Sequence, residues 1–184
     1  MSTALRLTVE EYARLGETGA FDELGRQLEL IHGEIRERTP IGPLHGDAVA
    51  FLTEWSVEAT AGTDLKVQVQ TDVTAGDSQP VPDLVWVARR RYRDRLPGPA
   101  EIQLVIEVAD SSLAYDLTEK ARLYAAEQIA EYWVVDLAAR LVHVHRQPDG
   151  ETYASVRRVA PGEPLAPACQ PAASVDLAAL FGSE

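Results

Sequence analysis

Apolar and polar positions change period several times along this chain, and each change marks an element. Leu65-Lys66-Val67-Gln68-Val69-Gln70 alternates strictly, as a half-buried strand does. Leu84 to Ala88 and Ile102 to Ala109 are more continuously apolar, which suits central strands covered on both faces. Between Pro43 and about Thr60 the period becomes helical, with Leu44, Val49, Leu52 and Trp55 mostly on one side. Gln27 to Ile31 and Glu34 to Arg38 read as two short strands around a His32-Gly33 turn. Thr8-Val9-Glu10-Glu11 and Asp116-Leu117-Thr118-Glu119 both have N-cap spacing, predicting helices to about Leu15 and to about Gln128. Tyr132 to Val135 and Leu141 to Arg146 form a hairpin across Asp136 to Arg140. A strand near Tyr153 to Val159 and a short helix near Leu177 to Phe181 follow. The sum is one α/β or α+β domain over residues 1–184, a mixed sheet with a helix before and after its central strands.

Composition narrows what such a domain does. At 184 residues the chain has material for a sizeable core, and its 46% hydrophobic and 25% charged content is ordinary for a globular protein. The segment MSTALRLTVEEY has no long apolar stretch of a secretory leader, and no apolar run approaches the ~20 residues of a membrane span. A single cysteine, Cys169, suits a reducing cytoplasm and reads as a spectator in a Pro/Ala-rich segment. The net charge of −12 argues against a passive nucleic-acid coat. It leaves room for an enzyme whose acidic site takes up a divalent metal and so acquires local positive charge.

Three residues stand out chemically. Glu107 lies inside the apolar run Leu104-Val105-Ile106-Glu107-Val108-Ala109, where an unpaired carboxylate is expensive. Pro82-Asp83 opens the neighbouring apolar strand and puts Asp83 at a strand edge. Lys120 falls about 60° from the packed face of the following helix, taking Leu117 as reference at about 100° per residue. A lysine on that rim can reach over the strand ends while its stem packs. Two nearby carboxylates repel as anions, and Mg²⁺ or Mn²⁺ between them relieves the repulsion, polarises a phosphate oxygen and acidifies water.

Pro82-Asp83, Glu107 and a lysine in that order resemble the PD-(D/E)XK nuclease superfamily. The usual place for the lysine, two residues after the acid, holds Ala109. The chain is more closely similar to the Uma-two family, uncharacterised proteins in which the lysine has moved to the following helix. That resemblance runs from Leu28-Glu29-Leu30-Ile31-His32-Gly33-Glu34-Ile35 through His45, Pro82-Asp83-Leu84-Val85 and Glu107-Val108. It continues through Asp116, Lys120 and Tyr124 to Glu131-Tyr132-Trp133-Val134-Val135-Asp136. It implies a restriction-endonuclease-like fold, a mixed central β-sheet flanked by helices with an N-terminal helix and β-hairpin. It implies metal ligation by Asp83 and Glu107, Lys120 as the catalytic cation, and Glu34 assisting the metal through water. Gln70, on the strand preceding Asp83, is a further candidate for the pocket. Where relatives read Leu-Ser-Pro-Ser after the acid, this chain reads Ala109-Asp110-Ser111-Ser112, so Asp110 either adds a ligand or caps the turn.

Other charged groups have plainer readings. His45 either points toward the pocket or makes a helix-terminal hydrogen bond. His143 and His145 share one strand face but have no third ligand nearby, and read as strand surface. Arg89, Arg90, Arg91, Arg93 and Arg95 either contact a phosphate backbone or form a solvated loop. Tyr132 and Trp133 read as core. The expected activity is Mg²⁺- or Mn²⁺-dependent hydrolysis of phosphodiester bonds in DNA, with a homodimer suited to cutting both strands. The competing expectation is a catalytically silent nuclease fold that binds nucleic acid or protein. A hydrolase for small phosphorylated molecules ranks last, because no Gly-rich phosphate cradle is present.

Overall fold

The computed structural model describes residues 5–22, 26–38 and 42–182. The first four residues, part of the segment read for a leader, lie outside them. The chain folds as α1 (Val9–Glu17), β1 (Leu28–Ile31), β2 (Glu34–Glu37), α2 (Pro43–Thr60), β3 (Leu65–Val69), β4 (Leu84–Ala88) and β5 (Ile102–Ala109). A short helix α3 (Leu113–Tyr115), a π-helical turn (Asp116–Lys120) and α4 (Ala121–Ala126) follow without a break. Then come β6 (Glu131–Asp136), β7 (Leu141–Asp149), β8 (Thr152–Val159) and α5 (Leu177–Leu180).

Local chemistry explains the element ends. Thr8 caps α1 through a reciprocal capping box, its side chain accepting from the Glu11 amide while Glu11 accepts from Thr8. His32 and Gly33 both have positive φ, 51° and 76°, the requirement of the tight two-residue turn that joins β1 to β2. A Cβ at Gly33 would meet the Arg6 Cβ at 2.9 Å, so glycine also makes room there.

Six strands form one sheet in the order β3-β4-β5-β6-β7-β8. Only β5 and β6 are parallel, and the helical segment from Leu113 to Ala126 is the crossover between them. Helices cover both faces, which explains the near-continuous apolar sequence of the central strands. On one face α2 packs Ala48, Val49 and Leu52 against Leu84, Trp86, Leu104, Ile106 and Trp133. On the other, α4 packs Tyr124 and Ala125 against Val85, Val105, Tyr132 and Val134. β4 runs antiparallel to β5, pairing Leu84 with Ile106. The start of β4 therefore lies at the C-terminal end of β5, the edge at which open α/β sheets place their ligands.

Two expectations need correction, and one open alternative narrows. The helix expected to be capped by Asp116 begins earlier, at Leu113, and Asp116 is buried inside it, accepting from the Ser112 hydroxyl at 2.5 Å. His143 and His145 are not strand surface but are buried beneath the α4 side of the sheet, His145 against the rings of Tyr132 and Tyr153. Of the two readings of the arginine run, the contacts of Arg89 and Arg90 favour a loop balanced by the protein itself. Arg89 donates to the Thr60 and Thr63 carbonyls at 2.8 Å each, satisfying the C-terminal end of α2, and Arg90 pairs with Glu101 at 2.8 Å.

One buried hydrogen bond ties α2 to the sheet: Trp86 Nε1–H donates to the Ser56 hydroxyl at 2.9 Å. Ser56→Ala leaves that indole N–H without an acceptor and is expected to cost about 1–3 kcal/mol. The matching fall in melting temperature, roughly 2–4 °C per kcal/mol, is read by thermal denaturation. An unchanged melting temperature would remove this bond as a determinant of the packing.

Candidate active site

The edge where β4 begins and β5 ends carries a pocket lined by six acids (Glu29, Glu37, Asp83, Glu107, Asp110, Asp116) and two fixed cations, Lys120 and Arg38. Glu29, Asp83, Glu107, Asp116 and Lys120 are all buried. Each arrives on a different part of the fold. Glu107 alternates with Val105 and Ala109 and so faces α4 rather than α2. The π-turn presents Lys120 to it. A turn closed by i→i+5 bonds takes in more residues than an α-turn. Asp116 and Lys120, four apart, therefore come more nearly into line on the buried side, and Lys120 lies inside the packed face rather than on its rim.

Lys120 Nζ donates to Glu107 Oε1 at 2.9 Å and lies 3.4 Å from Glu29 Oε2. Burial works against its charge, but Glu107, Glu29 and Asp116 outweigh burial and raise the ammonium pKa above its ordinary value. Tyr124 donates its hydroxyl to the same Glu107 oxygen at 3.1 Å. The second oxygen, Oε2, has only a long contact with the Asp83 amide, 3.4 Å. Burial pushes the Glu107 carboxyl up to about 8; Lys120 pulls against it, while Asp83, Asp116 and Glu29 push with it.

Asp83 is held from four sides. Its Oδ2 accepts from the Val108 amide at 2.9 Å and lies 3.0 Å from His45 Nε2. Its Oδ1 has longer contacts, Gln70 at 3.4 Å and Arg38 at 3.5 Å. Burial alone would raise this carboxyl, yet His45, the Val108 amide and Arg38 together hold it below the usual carboxylate value. Of the two acids, Asp83 is thus the one kept ionised, and Glu107 the one driven toward its neutral form.

The structure brings together Asp83, Glu107, Lys120, His45 and Asp110, and places Gln70 against Asp83. It does not bring in Glu34, which sits on the partly exposed face of the hairpin and pairs with Arg36 at 2.9 Å and Arg6 at 3.6 Å. The early acid that reaches the site is Glu29, which also accepts from the Val81 amide at 3.3 Å. Its signal was in the sequence: Leu28-Glu29-Leu30-Ile31 buries an acid in an apolar strand, the same anomaly as Glu107. Asp116 was misread as a cap, and Arg38 carried no signal beyond its place at a strand end. Arg89 to Arg93 follow β4 at its far end, six to ten residues from Asp83 and hence roughly 20 Å or more along the strand direction.

The donor set suits a hard divalent cation. Among the described residues no group of three His, Cys, Asp or Glu side chains converges as a metal cage. Mg²⁺ does not ask for one, since it is commonly held by one or two carboxylates with waters and substrate phosphate. Asp83 Oδ1 and Glu107 Oε2 are the oxygens with only long contacts, and the acid excess around them is what a divalent charge would offset.

A mixed sheet with helices on both faces thus carries buried acids and a lysine at one strand edge. The chain belongs to the Uma2 family, described as "Putative restriction endonuclease", whose model matches residues 9–178. A comparison with curated proteins finds no match. The fold is similar to the crystal structure of a protein from Anabaena variabilis ATCC 29413 described as a putative nuclease. That similarity has a TM-score of 0.74 at 16% identity, covering 95% of this chain and 97% of the other. Among the described residues no helix is long and apolar enough to cross a membrane.

The buried acids set a pH dependence. In buffer containing a chelator, the urea unfolding midpoint is expected to fall between pH 6.5 and 8. Folded Glu107 keeps its proton up to about 8, whereas the unfolded chain has released it above 4.5, so rising pH favours unfolding. Between about pH 4.5 and 6.5 His145 acts in the opposite sense, since burial lowers its folded value to about 4 from 6.5, and it offsets the Glu107 effect there. Glu107→Gln is expected to reduce the fall above pH 6.5. A fall of undiminished size in that variant would mean another group causes it.

Proposed function

We propose that residues 1–184 act as one restriction-endonuclease-like domain that hydrolyses phosphodiester bonds in DNA with Mg²⁺ or Mn²⁺, in the cytoplasm. The observation that carries the reading is the buried Lys120–Glu107 pair, 2.9 Å, beside an Asp83 held ionised at the same sheet edge. Family membership supports the nuclease class. Asp83 and Glu107 would hold the metal through Oδ1 and Oε2. That metal would supply positive charge to the scissile phosphate and lower the pKa of the attacking water.

The chain's own groups do the rest. Lys120, fixed between Glu107 and Glu29, is pre-aimed as a donor to the charge that grows on the phosphoryl oxygens. His45, Arg38 and the Val108 amide keep Asp83 ionised. Tyr124 fixes the Glu107 rotamer from beneath. In the net reaction water forms a new P–O bond and the ester P–O bond breaks. The products are a phosphomonoester, a hydroxyl end and one proton released to solvent. One site cuts one strand, so a double-strand cut calls for two copies of the chain.

Supercoiled plasmid with Mg²⁺ or Mn²⁺ tests this reading. Nicking is expected in the wild type, with EDTA abolishing it and Asp83→Asn, Glu107→Gln and Lys120→Met each lowering it about 10²-fold or more. Nicking that persists in all three variants would sink the assignment. No metal-dependent nicking by folded wild type would leave a silent binding module. Independently of turnover, Mg²⁺ at about 100 times its dissociation constant is expected to stabilise the protein by about 2.7 kcal/mol at pH 8, and Asp83→Asn to lose that gain.

A further inference from the structure

The catalytic pocket has about 100 Å³ of open space, room for a phosphoryl group and a few waters but not for a nucleoside. The nucleotides flanking the scissile phosphate must lie elsewhere. A second cavity of about 610 Å³ opens between α1 and the strands β1 and β3, within the ~300–1,000 Å³ of ligand sites. Arg38 lines both cavities and so stands between them. Arg38 and Gln70, both in its wall, are also the two side chains that reach Asp83 Oδ1, at 3.5 and 3.4 Å. A phosphate at the carboxylates therefore has this groove opening on its Oδ1 side.

The groove's chemistry is that of a nucleobase site rather than a second phosphate site. Phe21 packs on Tyr12 with ring centroids 5.2 Å apart, and Leu96 adds apolar wall. At the rim Gln27 accepts from Arg38 at 3.4 Å and keeps its amide N–H groups as donors, while Glu17 and Asp72 add acceptors to the wall. Aromatic and apolar walls with a few amides and an arginine hold an unstacked base well. Intact duplex has no comparable footing. The chain carries a net −12, and the arginine run lies past the opposite end of β4 with Arg89 and Arg90 engaged internally.

We infer that this groove takes the base of an unpaired nucleotide next to the scissile phosphate, so that the substrate is single-stranded or an opened strand rather than intact duplex. The inference rests on the phosphodiesterase reading above. The test compares three substrates with Mn²⁺: bis(p-nitrophenyl) phosphate, a single-stranded 12-mer, and the same 12-mer in linear duplex. The wild type is expected to cut the single strand at least tenfold faster than the duplex. Ala13→Trp, which fills the groove from α1, is expected to raise KM for the single strand about tenfold. It should leave hydrolysis of the base-free phosphate within twofold, which also shows that the variant folds. Gln27→Ala, which removes the amide without filling space, is expected to raise the same KM severalfold. Equal cutting of duplex and single strand, or an unchanged KM in both variants, overturns the groove assignment while leaving the nuclease reading intact. Failure of the wild type to hydrolyse any of the three overturns both.

Discussion

The site depends on one buried ammonium. Lys120 lies between Glu107 on β5 and Glu29 on β1, with Asp116 on its own turn adding negative charge. Those contacts join the N-terminal hairpin, the central sheet and the crossover helix at one point. Removing one partner of such a buried pair typically costs 3–5 kcal/mol, because the other is left charged and dry. The lysine is therefore structural before it is chemical. The π-turn that aims it is a departure from regular helix of the kind often found at functional sites.

Ala109 stands where packing leaves no room for a lysine. Residue 109 follows Glu107 by two and so faces the same side of the sheet. That side is the apolar cluster filled by Tyr124, Ala125, Tyr132 and Val134, and Ala109 is buried within it. A lysine there would have to push its stem through packed aromatic rings. Lys120 approaches the same Glu107 oxygen from the rim of the pocket and needs no such path. The packing of the α4 layer and the position of the lysine are two aspects of one arrangement.

How much of this was legible in the sequence follows from which rule each residue obeyed. Period and cap spacing placed all eight strands and the α2 boundaries, since burial on two faces writes itself directly into composition. Glu107 was legible because an acid inside an apolar run violates burial energetics. Glu29 violates the same rule in Leu28-Glu29-Leu30-Ile31, and preferring Glu34 was a failure to apply it twice. Asp116 was not legible. N-cap spacing is a local signal, and whether a helix starts at that residue or three positions earlier is settled by tertiary contacts, here Ser112 and the buried π-turn. His143 and His145 look polar in sequence, yet both are buried and the His145 ring packs against tyrosine rings, and polarity alone gives no warning of that. The arginine run stayed open between two readings, because local charge density says nothing about carbonyls waiting at the end of α2.

The charge balance at the edge also explains why an acidic protein can address an anionic substrate. Six acids against two fixed cations form a poor landing place for phosphate. Burial, and with it the same excess, raises Glu107 and Asp116, which costs stability at this edge as pH rises. Two charges added by a divalent ion act on every carboxylate in the pocket at once, through a low-dielectric wall of Tyr124, Tyr132 and Val108. On the proposed reading, cation uptake and phosphate binding would be coupled: each would make the other less costly, and neither would ask for a basic surface elsewhere on the molecule. An arrangement that gives up stability at its functional edge is the expected compromise for a site built to be completed by its ligands.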